Sequence, residues 1–398
     1  MSEAAPPLRG RIIFYFAIMA FALFISLFKS PHIVQDVILY KTLVFYACLY
    51  FLFFRAAQDI KTVRYLIVCV AFTYGMMTLE MIREAAAFGF APKIRLVGAF
   101  GMETGNPNYA GAYFAVLIPV FATFMMYYKD DKRVKLIATG LFFMGMMSAF
   151  YTESRQAYAA ILITTLLLAV RKSMMYSVII VIAVLNFALW APESVVERVE
   201  GTSEVNEETG EEVLEDSAES RFVIWGAAWN LIKSNPIGIG YNQFKLAIDP
   251  YMPAWITARD AHSSYFLIWT EAGWIGLIAF LSLLYGFYAV GSRLYRAGTE
   301  TKNNEAILLG LGFSMSAIAV ALSNVTSSTF QSGEVMANYW IMAALISRYA
   351  ILIEEGYRVN DEREETSDDE SGNVLGVNHR LDQLRRDKAT VRRFNDSA

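Results

Sequence analysis

Apolar residues come in long unbroken runs, at about residues 12–28, 35–54, 63–82, 109–128, 134–151, 156–170, 174–190, 264–291, 305–326 and 333–352. A helix needs about 20 residues to cross a bilayer, so the pattern predicts an all-α, polytopic transmembrane bundle of about ten spans. The sixth and seventh runs are short and separated only by Arg171 and Lys172. They also read as one bent hairpin, which leaves the count open by about one. The run from His262 to Gly291 would be about 45 Å long as a helix, more than the hydrocarbon thickness of about 30 Å. Its first turns are expected outside the membrane, with His262 at the top.

Polar segments divide the chain into spans one to seven over 1–192, an outer loop over 193–262, spans eight to ten over 263–353 and a tail over 354–398. The loop opens with GTSEVNEETGEEVLEDSAES, which has few apolar residues to bury and reads as mobile in its first part. From Arg221 onward, RFVIWGAAWNLIKSNP places Phe222, Trp225, Trp229 and Ile232 at helical spacing, the pattern of an amphipathic helix on a membrane surface. Asn235, Pro236, Gly238 and Gly240 end it. The tail is charged and reads as disordered, with a short helix possible around Leu381 to Phe394.

Composition agrees. Residues of the set AVILMFWYC make up 56% of 398, charged residues 18%, and mean hydropathy is +0.37, too apolar for an ordinary soluble enzyme. The net charge of −4 conceals an uneven distribution. Residues 193–219 hold 11 acids and one base, residues 354–398 hold 12 acids and eight bases, and the remainder holds 15 acids and 25 bases. A basic, apolar body with two acidic soluble pieces disfavours nucleic acid as a partner and favours membrane lipids. With the N terminus inside, the inner loops carry 14 Lys and Arg and the short outer loops five, namely Lys29, Arg83, Lys93, Arg95 and Arg155. Both termini are therefore expected in the cytoplasm and the long loop outside. Cys48 and Cys69 lie inside apolar runs, form no metal or disulfide spacing and read as buried packing.

Ionisable groups at the outer ends of spans are expensive near lipid and mark function. Arg155 opens span six in YTESRQAY, Arg221 opens the aromatic surface helix, and His262 precedes span eight. Guanidinium forks bind phosphate oxygens bidentately, and a histidine can take or give a proton near neutrality. Together they suit a phosphate-bearing substrate at the membrane surface with chemistry beside it. The plain alternative for each arginine alone is a lipid-headgroup contact or a solvated charge. Lys41, inside span two, either snorkels outward or adds a phosphate contact. Asn108, in GMETGNPNYAG, either caps span four or binds substrate. Glu271, about two and a half turns below His262, either sets that histidine's tautomer through water or pairs with a neighbouring helix, the second being favoured. His32 reads as an interfacial residue, and His379 lies in the tail. GIGYNQF lacks the strand and nucleotide-binding unit of a Rossmann site, and no HExxH or carboxylate cluster suggests a metal.

In order, GNPNYAG, SRQAY, SRFVIWGAAWNLIKSNPIGIGYNQF and AHSSYFLIWTEAGWIGL resemble the bacterial O-antigen ligase and polymerase family of membrane glycosyltransferases over about residues 98–291. The resemblance implies transfer of a glycan from an undecaprenyl diphosphate carrier to a hydroxyl of a glycan or lipid acceptor, without metal or other cofactor, at the outer face of the inner membrane. It assigns Arg155 and Arg221 to the diphosphate, His262 to the histidine of the family's H-[NS]-x-Y pattern, with Ser263 and Ser264 where asparagine is commoner, and Tyr265 to substrate binding. A transporter or flippase of a lipid-linked glycan is the main rival, but no internal repeat is evident and the charges lie at one face. A scaffold role would leave the arginines and histidine unexplained. If the acidic stretch is mobile, deletion of residues 204–215 should leave transfer intact in a folded protein; loss of transfer would show that it binds or gates substrate.

Overall fold

Backbone in lipid must satisfy its own N–H and C=O groups, which a helix does within one segment. Each apolar run is accordingly a helix in the computed structural model. The structure describes residues 11–90, 94–99, 105–200, 203–205, 212–214, 216–253 and 260–356. Before the outer loop come α1 (Arg11–Leu27), α2 (Ile33–Ala56), α3 (Ile60–Ala87), α4 (Pro107–Tyr127), α5 (Lys132–Tyr151), α6 (Arg155–Lys172) and α7 (Met174–Leu185). The loop contains α8 (Glu193–Glu200), α9 (Asp216–Ser234) and the single turn α10 (Phe244–Ala247). The bundle closes with α11 (Ser264–Glu300), α12 (Asn304–Ser323) and α13 (Gly333–Gly356).

Seven of these, α2 to α5 and α11 to α13, are long and apolar enough to cross a membrane. The first apolar helix and α7 are shorter, and α6 carries Arg155, Arg171 and Lys172 within its 18 residues. Residues 1–350 form one unit; of a second, 351–398, only the last turns of α13 are described. The tail expectations, His379 included, lie outside the described residues.

Most of α4, α12 and α13 is buried, whereas α2, α3 and α5 turn most of their surface outward. The central helix α12 packs on α11 and α4, α4 also on α5 and α6, and α1 on α11. Apolar burial gives little drive between helices in lipid, so close packing decides. A Cβ at Gly310 would lie 2.3 Å from the Tyr295 backbone nitrogen, so α11 and α12 touch backbone to backbone. Where rings fit they interlock: Phe313 stacks on Tyr339 at 5.2 Å, and Phe287 meets Trp340 edge-on at 4.8 Å.

Two expectations are corrected. Span eight is not one straight rod: Gly273 has φ 66° and ψ −162°, which breaks α11 after two turns. Into that break packs the loop following α9. Ile239 and Gly240 donate backbone bonds to the carbonyls of Thr270 (2.9 Å) and Glu271 (3.0 Å), which have lost their helical donors. Gly238 faces Gly273 across the contact, and a Cβ on either would come within 2.6 Å of the other's backbone neighbours. Second, Cys48 and Cys69 are exposed on α2 and α3, since outward-facing positions of a lipid-embedded bundle are as apolar as its core. On α9 the packed side is Ile224, Ala227, Ala228 and Leu231, while Phe222 and Trp229 are exposed.

The acidic stretch adds a small pairing to the helical fold, Ser203–Val205 antiparallel to Glu212–Leu214. We expect Gly273→Ala to destabilise the protein by about 1–3 kcal/mol, because alanine resists this backbone conformation. Thermal unfolding in detergent checks this; an unchanged midpoint would show that the break is not required.

Candidate functional site

Two turns at the same end of the bundle build the site. Asn106 caps α4 by accepting the Asn108 N–H, with Pro107 as the first helical residue. Asn108 is therefore not the cap, and its amide turns to the site. At the start of α6, Ser154 is the N-cap and Arg155 the first helical residue. A Cβ at Gly111 would stand 2.7 Å from the Ser154 Cβ, so the glycine of GNPNYAG lets the two helix starts meet. Across that contact Gln156 Nε2 donates to the Asn108 carbonyl at 3.0 Å.

Residues 94–97 run along the α5–α6 turn, where Leu96 N–H donates to Tyr151 O at 3.0 Å. This delivers Arg95, whose Nη2 donates to Asn108 Oδ1 at 2.8 Å and whose Nε donates to Thr152 O at 3.3 Å. From the outer loop come Arg198 on α8 and Arg221 on α9. The charges of Arg95, Arg198 and Arg221 all act on Arg155. Those of Arg198 and Arg221 act on Arg95, and Arg198 acts on Arg221. Burial, reinforced by the neighbouring cations, pushes the Arg95 and Arg221 guanidiniums below the ordinary arginine range, though a guanidinium stays charged at any working pH.

One turn beyond Arg221, Trp225 stacks on Phe266 at 5.7 Å and its Nε1 donates to Ala261 O at 2.9 Å. The same aromatic contact thus ties the arginine helix to the residue before His262. Burial lowers the His262 imidazole below its ordinary 6.5, Asp260 opposes this, and Arg221 adds to it. His262 and Asp260 keep 42% and 34% of their side chains exposed, with Nδ1 3.6 Å from Asp260 Oδ2, so a substrate can reach both. His262 has φ 47°, a strained conformation for a residue with a Cβ, of the kind that collects at functional sites.

Of the residues singled out in the sequence, Arg155, Arg221, Asn108 and His262 come to this region. Tyr265 instead braces α11: its hydroxyl donates to Ala321 O at 2.9 Å and its ring meets Phe280. Lys41 is exposed on α2, and none of the interactions that define the arginine group involves it. Glu271 does not serve His262; it accepts the N–H of Phe244, the first residue of the single turn α10, at 3.4 Å, holding the GIGYNQF loop. His262 precedes the N-cap Ser263 and has φ 47°, so it does not share the helical register that carries Glu271. Sequence reading passed over Arg95, Arg198 and Asp260. The first two had a signal: Arg95 is one of few outer-loop cations, and Arg198 is the one base among the 11 acids of 193–219. Among the described residues, no group of three His, Cys, Asp or Glu side chains is placed to hold a metal ion.

The fold and the site thus define a polytopic helical membrane protein in which arginines, groups suited to binding anions, gather beside a histidine. A family profile described as O-antigen ligase matches residues 139–281 of the 398, which bears out the family read from the motifs. The matched segment holds Arg155, Arg198, Arg221, Asp260 and His262. The match supports an enzyme of the membrane ligase and polymerase kind that transfers glycans. No curated protein matches the chain significantly.

Arg221→Lys should lower transfer about ten- to a hundredfold, since a lost charge-assisted hydrogen bond removes about 1.5–3 kcal/mol. Unchanged turnover would remove Arg221 from the site. If neutral His262 is the active form, activity should rise with pH through a value below 6.5 and be level by pH 7, because burial and Arg221 favour the neutral ring. A rise centred above 7 would contradict this.

Proposed function

We propose that this protein transfers a glycan from an undecaprenyl diphosphate carrier to a hydroxyl of a glycan or lipid acceptor, on the outer face of the bacterial inner membrane, with both termini cytoplasmic. The observation that carries this reading is the grouping of Arg95, Arg155, Arg198 and Arg221 beside a histidine held towards its neutral form. Transfer breaks the bond between the sugar C1 and the diphosphate oxygen, and the diphosphate leaves with the electron pair. Fixed guanidiniums stabilise that growing charge more in the transition state than in the ground state, which is the condition for catalysis. The reading assigns no step to a divalent metal.

On the acceptor side, His262 takes the hydroxyl proton as the oxygen attacks C1. Arg155 and Arg221 hold the diphosphate, Asn108 orients Arg95, and Tyr265 supports the histidine from one turn away. No residue of the site is cast as a nucleophile, so a single displacement inverts the anomeric centre. A ligase and a polymerase share this chemistry and differ in acceptor.

Purified protein in liposomes, given glycan-loaded carrier and a candidate acceptor, should release undecaprenyl diphosphate, while His262→Ala and Arg221→Ala should not. Product length separates a single ligation from a polymer ladder. Chelator should leave the rate unchanged; full inhibition reversed by a divalent ion would contradict the metal-free mechanism. Glycolipid crossing the bilayer without release would overturn the transferase in favour of a transporter.

A further inference from the structure

Asp260 belongs to no motif that pointed to the site, yet its carboxylate is held by a hydroxyl on one side and faces the histidine on the other. Oδ2 lies 3.6 Å from His262 Nδ1, and Oδ1 accepts the Ser328 hydroxyl at 2.8 Å. Ser328 sits in the turn between α12 and α13, a stretch of polar residues buried in the bundle: Asn324, Ser328 and Thr329 are all at most 1% exposed. Asn324 organises that turn. Its Oδ1 accepts the Phe330 N–H at 2.8 Å and the Ser264 hydroxyl at 2.5 Å, and its carbonyl accepts the Ser264 N–H at 3.0 Å. One turn therefore anchors both the carboxylate facing the histidine and the first residue of α11, two positions past it. The same turn reaches towards the arginines, since Thr326 Oγ1 donates to Gln156 Oε1 at 3.2 Å and Gln156 holds Asn108. The turn itself, Asn324 to Phe330, lies beyond the segment matched by the family profile.

We propose that Asp260, clamped by Ser328, is the positioning residue of His262. As the 3.6 Å gap closes on substrate binding, its carboxylate accepts a hydrogen bond from Nδ1–H, which fixes the ring's tautomer and leaves Nε2 with the lone pair that takes the acceptor's proton. When that proton arrives both ring nitrogens carry hydrogen, and the adjacent carboxylate stabilises the imidazolium. The acceptor oxygen meanwhile bonds to C1 and the diphosphate departs with the C1–O electrons. The charged groups acting on His262 are Asp260 from its own segment and Arg221 from α9; Ser328, Asn324 and Ser264, contributed by the α12–α13 turn and α11, are neutral. A carboxylate that orients a base through its far nitrogen is a recurrent device, because it selects one tautomer and steadies the cation formed. The inference rests on the transferase reading.

The test compares wild type with Asp260→Asn, Asp260→Glu and Ser328→Ala in the liposome transfer assay over pH 5–9. With Ser328 donating to the side-chain oxygen, asparagine presents its NH2 to Nδ1 and imposes the other tautomer. Asp260→Asn should therefore lower kcat about ten- to a hundredfold, part of the 10²–10⁴ a general base contributes, with KM for the carrier little changed. Its residual acidic limb should move to lower pH, because the charge that supports the imidazolium is gone. Asp260→Glu should recover part of kcat, and Ser328→Ala should lose a smaller factor. With only three histidines, His32, His262 and His379, imidazole 15N spectra at pH 8 should show His262 protonated at Nδ1 in wild type and at Nε2 in Asp260→Asn. An unmoved limb and tautomer in a folded Asp260→Asn protein, or a loss confined to KM, would overturn the inference while leaving the transferase standing. A wild type that transfers nothing would overturn both.

Discussion

Like charges repel, and bringing four guanidiniums together where water is partly excluded raises the free energy of the folded protein. Such an arrangement survives only if the scaffold holds each group independently of its neighbours. Here each arginine arrives on a different element: Arg95 on the segment before α4, Arg155 at the first turn of α6, Arg198 on α8 and Arg221 on α9. Arg95 is pinned by Asn108 and Thr152, and the meeting of α4 with α6 is set by Gly111 against Ser154. A site preorganised in this way needs little rearrangement when negative charge develops within it, which is where electrostatic catalysis gains its advantage.

The second constraint is the accounting of backbone hydrogen bonds near lipid. Breaking α11 at Gly273 leaves carbonyls that an unbroken helix would have satisfied, and the loop 236–240 supplies the missing donors. That loop is in turn fixed by the first two helices, well outside the matched segment. Lys29 donates to Gly238 O at 2.8 Å, and Ser26 donates to Glu271 O at 2.7 Å. Asp36, almost fully buried, takes hydrogen bonds from Asn242 and Gln243 at 2.7 and 2.8 Å. The amino-terminal hairpin thus acts as a clasp over GIGYNQF, and Glu271 serves the loop rather than the histidine. Function, on the proposed reading, is divided along the same lines: the α4–α6 turns and the loop helices face the diphosphate, and the start of α11 with the α12–α13 turn faces the acceptor.

Much of this was written in the chain itself. Ten apolar runs, seven of which form helices long and apolar enough to cross a membrane, and the break at Asn235 to Gly240 are local properties, set by hydropathy, turn chemistry and helix length. Arg155, Arg221 and His262 were legible because charge beside long apolar runs is costly and so conspicuous. Contacts between distant segments had no such signal. Nothing local says that Asp260 meets Ser328, or that the charge of Arg198, embedded among acids, acts on Arg155. Residues on the lipid side of a bundle are as apolar as those in its core, so hydropathy told which segments are helices but not which of their faces pack. The sequence by itself determined the helices and the kind of charge at their ends; the tertiary structure alone decided which charges meet, because that depends on backbone approach at glycines and on one broken helix.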